Sequence, residues 1–325
     1  MSGDLGAEVV VRAAAATLQK YANIELLLVG DQTELQELLT KLVGANSRLK
    51  IVHATEVVGM SELPADALRK KKDSSMRVAI DLVKNGDADA CVSSGNTGAL
   101  MATARFVLKM LPGISRPAII TELPAKGGTL HMLDLGANTH ATAEQLFQYA
   151  MMGSIVTSDI VGIDRPRVAL LNIGVEDIKG HDIVREAADL LNASTLNYVG
   201  FIEGDDLFSG KADVVVTDGF TGNIALKTIE GAVGLVLYFL KRGFTRNWLA
   251  KLQAALARSV LKGLAKDMDP RHYNGATLVG LNGIVIKSHG GADAIAFQHA
   301  IDTAIVEIRN QLPQQIGTLL QEEAV

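Results

Sequence analysis

The stretch Asp89-Ala-Cys-Val-Ser-Ser-Gly-Asn-Thr-Gly-Ala-Leu100 decides the fold class. Its apolar run, Ala90 to Val92, predicts a short strand that stops at small polar residues and glycines. Apolar positions at Met101, Ala104 and Val107 then predict a helix opening at about Gly98. A strand–loop–helix step with Ser93, Gly95, Asn96, Thr97 and Gly98 in its loop suits an anion. Glycines let the backbone approach closely, N–H groups point outward, and the helix N-terminus adds partial positive charge. A tight connection of any α/β protein is the competing reading. Similar small, polar turns after other strands favour the anion seat.

Outward from this step, the chain alternates. Helices are predicted over 7–21, 34–43, 75–85, 143–157 and 182–191, and another from Ile224. Strands are predicted over 24–29, 49–54, 119–122, 131–134, 168–173, 196–202 and 214–217. A turn at Lys126-Gly127-Gly128 separates two of the strands, and the polar segment 56–73 reads as a loop. Strands alternating with helices imply right-handed crossovers and an α/β fold with a mostly parallel sheet, covered on both faces. The expected organisation is a single domain over 1–325 with an amphipathic helical segment at about 231–268.

Composition narrows the classes. The 325 residues carry a net charge of -5, which argues against a general nucleic-acid binder, although basic residues cluster locally. Cys91 is the single cysteine, so no intramolecular disulfide forms and a reducing, cytoplasmic compartment is expected. No signal peptide is visible, and the longest apolar run, Gly231 to Leu240, is far short of the roughly 20 residues a spanning helix needs.

Open α/β sheets bind ligands at the carboxyl ends of their strands. Four loops there share one character: 93–98, 134–138, 172–180 and 218–223. Asn96, Asn138 and Asn223 supply uncharged donors, and Lys179, followed by Gly180 near a helix start, supplies a point charge for a phosphate. This inventory suits anion binding and stabilisation of a developing oxyanion. For each Asn the alternative is local backbone capping, and for Asp134 and Asp218 it is an N-cap. There is no Gly-x-Ser-x-Gly elbow, no zinc-ligand spacing among His and Cys, and no Gly-x-Gly-x-x-Gly after the opening strand, so a dinucleotide site has little support.

The motifs themselves carry a resemblance. Ser93-Ser-Gly-Asn-Thr-Gly-Ala-Leu100, Leu133-Asp-Leu-Gly-Ala-Asn138, Leu170-Leu-Asn-Ile-Gly174 with Lys179-Gly180, Asp218-Gly-Phe-Thr-Gly-Asn223 with Leu226-Lys-Thr228, and Gly283-Ile-Val-Ile-Lys-Ser-His-Gly290 occur in this order. Over roughly residues 1–309 the chain resembles the bacterial phosphate acyltransferases, the acyl-ACP:phosphate transacylases of phospholipid synthesis. The resemblance implies an isocitrate/isopropylmalate dehydrogenase-like αβα layering, a homodimer, and transfer of a fatty acyl group from acyl carrier protein to inorganic phosphate. No metal or organic cofactor is implied. It also implies a strand ahead of Met1-Ser-Gly-Asp4, where family members carry Met-Gly-Gly-Asp, and this sequence departs from it again at Ser94, at Asn138-Thr-His140 and at Tyr273-Asn-Gly-Ala-Thr277.

On that resemblance, Lys179 and the Ser93–Gly98 loop are expected to hold phosphate. Asn223 and Asn138 would stabilise the oxyanion, and Asp218 would handle or orient a proton. Acyl carrier protein, being acidic, needs a basic dock. Arg69, Lys70, Lys71 and Lys72, or the cations between Lys241 and Lys266, could provide it, unless these are simply a solvated face. A helix is expected over about 244–266, with Lys251, Arg258, Lys262 and Lys266 on one side. Leu249, Leu252, Leu256, Val260 and Leu264 lie opposite, with Trp248 near the boundary. Such a helix either packs on its own core or a dimer partner, or lies on a membrane near a downstream membrane acyltransferase. Two other functions remain open: an acid dehydrogenase on the same fold, and a non-catalytic adaptor that binds acyl carrier protein.

Overall fold

The computed structural model describes residues 3–176, 178–267 and 269–323. Its first part runs α1 (Ala7–Lys20), β1 (Leu26–Gly30), α2 (Gln32–Leu42), β2 (Leu49–His53), α3 (Pro64–Lys70), α4 (Ser75–Asn85), β3 (Ala90–Ser93) and α5 (Thr97–Leu108). A hairpin of β4 (Ala118–Ala125) and β5 (Gly128–Leu133) follows, then α6 (Ala143–Val161), β6 (Val168–Leu171), α7 (Asp182–Asn192), β7 (Tyr198–Ile202) and β8 (Val214–Val216). The chain closes with α8 (Gly219–Thr245), α9 (Trp248–Leu256), α10 (Arg258–Asp267), β9 (Ala276–Val279), β10 (Ile284–Lys287), α11 (Ala294–Arg309) and α12 (Leu312–Glu323).

Strands β1 and β2 pair in parallel as a small sheet, and the other eight form a second sheet in the order β3-β10-β9-β4-β5-β8-β6-β7. Alternation along its strands divides the large core. Met132 and Val215 face the helices α5 and α8, whereas Leu133, Val214 and Val216 face α6 and α7. Pairing is parallel between β3 and β10 and from β5 through β8 and β6 to β7. It is antiparallel at the three junctions of β10, β9, β4 and β5. Three antiparallel junctions reverse the sense of the sheet overall. Strands β3 and β10 therefore point opposite to β5, β8, β6 and β7.

Four local expectations change. The segment 56–73 is not all loop: Pro64, whose fixed φ suits a first helical turn, opens α3. Helix α8 starts at Gly219, five residues before the expected Ile224, because the Asp218 carboxylate caps it by accepting from the Thr221 N–H at 2.9 Å. The single helix expected over 244–266 is instead the end of α8 followed by α9 and α10. Asn247 starts α9, accepting from Ala250 N–H at 2.8 Å, and Ala257 leaves helical geometry. Lastly, α8 continues on both sides of the apolar run at 231–240 and reaches 27 residues, long and apolar enough by length and composition to cross a membrane. Its first turn is nevertheless packed on the sheet's own loops, with Gly219 and Gly222 buried.

Candidate active site

At the carboxyl ends of β5 and β8, two predicted loops lock together. The buried Asp134 carboxylate accepts from the N–H groups of Ile119, Gly136, Ala137 and Asn138 at 2.8–3.2 Å. Burial pushes its pKa up and these donors pull it down, with burial prevailing. Gly219 N–H donates to Asn138 O at 2.8 Å, and a Cβ on Gly219 would sit 2.5 Å from that same oxygen. The Gly-x-x-Gly spacing of Gly219 and Gly222 thus lets α8 begin directly against the Asp134 loop.

This packing consumes part of the expected site. Asn138 is buried, and its Nδ2 donates to Pro117 O at 2.7 Å, Asp134 Oδ2 at 3.0 Å and Tyr149 Oη at 2.9 Å, so both amide hydrogens are committed. Asp218 is spent on the α8 cap, through Thr221 N–H and its hydroxyl at 3.0 Å. Asn223 is different. It is exposed one turn into α8, lies against Gly136 (φ +124), and its amide has no hydrogen-bond partner among the described residues. On the next loop, Gly180 (φ +85) leaves room for Asn172, whose Nδ2 donates to Lys179 O at 3.2 Å. That holds the exposed Lys179 just ahead of the N-terminus of α7, with no ion pair among the described residues.

The Ser93–Gly98 loop leaves the sheet from the other edge, because β3 runs against β5, β8 and β6. Lys179 and this loop therefore do not share one strand-end surface, contrary to the sequence expectation. Within the loop, Asn96 caps α5, accepting from Ala99 N–H at 3.0 Å, and donates to Met60 O at 2.8 Å and Glu62 O at 3.0 Å. Ser93 Oγ accepts from Gly95 N–H at 3.2 Å. Gly98 gives room to Pro64, whose Cγ would stand 2.9 Å from a Cβ there.

Beside this loop the structure adds a residue that sequence reading passes over. Lys287 ends β10, is 9% exposed, and turns its Nζ onto the carbonyl of Ser288. Burial pushes its pKa down to about 8; Asp4 favours the charged form and Lys227 opposes it. Its neighbours are held firmly: Asn274 donates to Ser288 Oγ at 2.9 Å and accepts from His289 N–H at 2.9 Å. The signal was an apolar strand, Ile284-Val-Ile, that ends in a lysine. Lys227, whose charge reaches Lys287, stands one helical turn beyond Asn223, on the same face of α8. Lys287 lies in register with Ser93 of the adjacent strand, and the charge of Lys227, which also pairs with Glu230 at 2.7 Å, reaches it from α8.

A family model described as "Fatty acid synthesis protein" matches residues 1–315. A phosphate acyltransferase of Alkalilimnicola ehrlichii is 55% identical over 322 residues, 99% of this chain and 94% of that one. Another, from Nitrosococcus oceani, is 54% identical over 99% of this chain and 95% of its own. The chain belongs to the phosphate acyltransferase family. Acyl transfer to phosphate is its reaction. Solved phosphotransacetylases share the α/β fold. One from Streptococcus pyogenes superposes with a TM-score of 0.64 at 22% identity over 94% of this chain and 92% of its own. The Staphylococcus aureus protein EutD gives 0.59 at 19% over 92% and 90%.

The expected carrier dock is weaker than its sequence. Lys71 is half-buried and tied to Glu62 at 2.8 Å and Val57 O at 2.6 Å, and Lys70 pairs with Asp66 at 2.9 Å. Arg69 and Lys72 remain exposed at the end of α3 and just beyond it. Cys91 is buried in β3, and burial pushes its thiol up to about 12, which disfavours the thiolate.

Proposed function

We propose that this phosphate acyltransferase takes a fatty acyl group from acyl carrier protein and passes it to inorganic phosphate, releasing the carrier thiol and an acyl phosphate. The observation that carries the reading is the placement of Asn223 and Lys227 on one face of α8, from which the charge of Lys227, itself paired with Glu230 at 2.7 Å, reaches the buried Lys287. Phosphate is already an oxygen nucleophile, so the protein needs no covalent intermediate. It must hold phosphate against the thioester, stabilise the tetrahedral oxyanion and exclude water. In this reading Lys287, Lys227 and the backbone N–H groups of the Ser93–Gly98 loop seat the phosphate, and Asn223 donates to the oxyanion. Lys179, on the β6 loop, lies on a different strand-end surface from the Ser93–Gly98 loop and stands outside this seat. Asn138 and Asp218 act one step back, by fixing the start of α8.

The acidic carrier docks on Arg69 and Lys72 and on the exposed Lys251, Arg258 and Lys262, while Lys266 lies outside the described side chains. A homodimer is supported by the exposed apolar face of α8, and peripheral contact with the cytoplasmic face of a membrane by the exposed α9–α10 segment. The decisive assay incubates the protein with acyl-ACP, with and without phosphate. Free carrier thiol should appear only with phosphate, and hydroxylamine should trap the acyl phosphate. Equal thiol release without phosphate would mean a thioesterase.

A further inference from the structure

Where α8 leaves β8, its two sides are both apolar, but only one is used by the core. Gly219 and Gly222 are buried against the Asp134 loop, and Ala225, Leu226 and Ile229 pack on the core. Phe220 and Ile224 lie on the opposite side, Phe220 60% exposed, with the exposed Asn223 beside them. An i,i+4 apolar pair on the solvent side of a helix that already has a buried face adds nothing to the core.

The loop after β6 adds to this surface. Strands β6 and β8 are parallel neighbours, with Leu170 in register with Val216, so this loop and the first turns of α8 leave the same end of the sheet. The loop is drawn closed by its own polar groups. Asn172 Nδ2 donates to Lys179 O at 3.2 Å and Lys179 N–H to Glu176 O at 2.9 Å. A Cβ on the buried Gly174 would stand 2.9 Å from Lys179 Cγ. The loop's apolar side chains are left outside: Ile173 is 79% exposed, Ile178 80%, and Val175 is exposed with them. Single exposed apolar residues need no explanation, but several gathered at one strand end mark a binding surface.

The order of groups along α8 says what this surface takes. One stripe of the helix carries Phe220, then Asn223, then Lys227, spaced by about 4.5 Å and about 6 Å along the axis. An apolar group, an uncharged N–H donor and a cation, in that order, match the alkyl chain, carbonyl oxygen and phosphate of an acyl phosphate. We infer that Phe220, Ile224, Ile173, Val175 and Ile178 hold the alkyl chain of the acyl group and set which chain lengths transfer well. The inference rests on the proposed placement of the carbonyl at Asn223 and of the phosphate toward Lys227 and Lys287. The chain then runs from Asn223 toward the β6 loop, away from the phosphate seat.

The test titrates the full chain with alkylphosphonates, stable stand-ins for an acyl phosphate, carrying methyl, octyl or dodecyl chains below their micelle concentrations. Wild-type affinity should rise on the order of tenfold from octyl to dodecyl, since a fully buried CH2 contributes about fourfold and one held on an open surface less. In the double variant Ile178→Ser with Phe220→Ser that rise should vanish, with methylphosphonate binding and circular dichroism unchanged. Leu256→Ser, at a position on α9 as exposed as Ile178, should keep the rise. Lys287→Met reads the phosphate placement separately: it should weaken all three probes alike, and if it does not, that placement fails while the chain-length comparison still stands. A rise that survives in the double variant, or that Leu256→Ser loses equally, overturns the inference. So does a double variant that loses the rise while changing its sedimentation, because the five side chains would then belong to an interface between copies.

Discussion

Lys287 and Glu307 show how burial sets the chemistry of single side chains. Lys287 is charged below about pH 8 and loses that charge as pH rises through this value. If it seats phosphate, the KM for phosphate should rise above pH 8 in the wild type. Lys287→Met should have a high KM at every pH, with the fold intact by circular dichroism, and an unchanged phosphate KM would remove Lys287 from the site. Glu307 is buried, takes one hydrogen bond from Thr277, and leaves Oε2 without a partner; burial pushes its pKa up to about 8. Its folded pKa lies above the unfolded value of about 4.3, so the folded state binds the extra proton between them, and stability falls as pH rises through that window. Glu307→Gln should therefore raise the melting temperature at pH 8 and change it little at pH 4. Equal shifts at both pH values would show that packing, not ionisation, dominates.

Among elements, α8 to α10 carry many of the exposed large apolar side chains. Trp248 is 72% exposed, Leu256 80% and Val260 71%, while Lys251, Arg258 and Lys262 are exposed beside them. The break at Ala257 turns one expected amphipathic helix into two short ones. That suits a surface insertion better than a long helix lying flat. Vesicles with anionic lipid should sediment the wild type at low salt and release it at high salt, since the cations are screened. Leu252→Glu should stay in the supernatant while keeping its fold and thiol-release activity. If Leu252→Glu unfolds the protein or changes its oligomeric state, the surface belongs to packing instead.

For the whole molecule, Leu235, Val236, Leu237, Tyr238 and Phe239 make an exposed apolar run on α8, the kind of surface that marks an interaction site. A second copy packing its own α8 there would make a self-complementary interface. Sedimentation should show a dimer, and Leu235→Glu with Tyr238→Glu should shift it to monomer. A wild type that sediments as a monomer at micromolar concentration would leave this face to another partner.

Much of this was legible in the residues. The period-2 and helical apolar patterns placed β3, α4, α6 and α7 closely, and Asn and Asp before helices marked caps at Asn96 and Asp218, because such signals are local. The close approach of α8 to the Asp134 loop, by contrast, came only with the structure, which starts the helix five residues earlier at Gly219. What the sequence could not determine was direction and company. Strand order and the antiparallel turns at β9 and β4 depend on pairings between residues far apart in the chain, and these put the Ser93–Gly98 loop and Lys179 on opposite edges. The same long-range packing filled the amide of Asn138 and left that of Asn223 free, although both follow strands in similar small, polar segments. It also buried Lys287 beside Lys227, sixty positions earlier in the chain. Residue type fixes what a group can donate; only the tertiary structure decides whether a neighbour has already taken it.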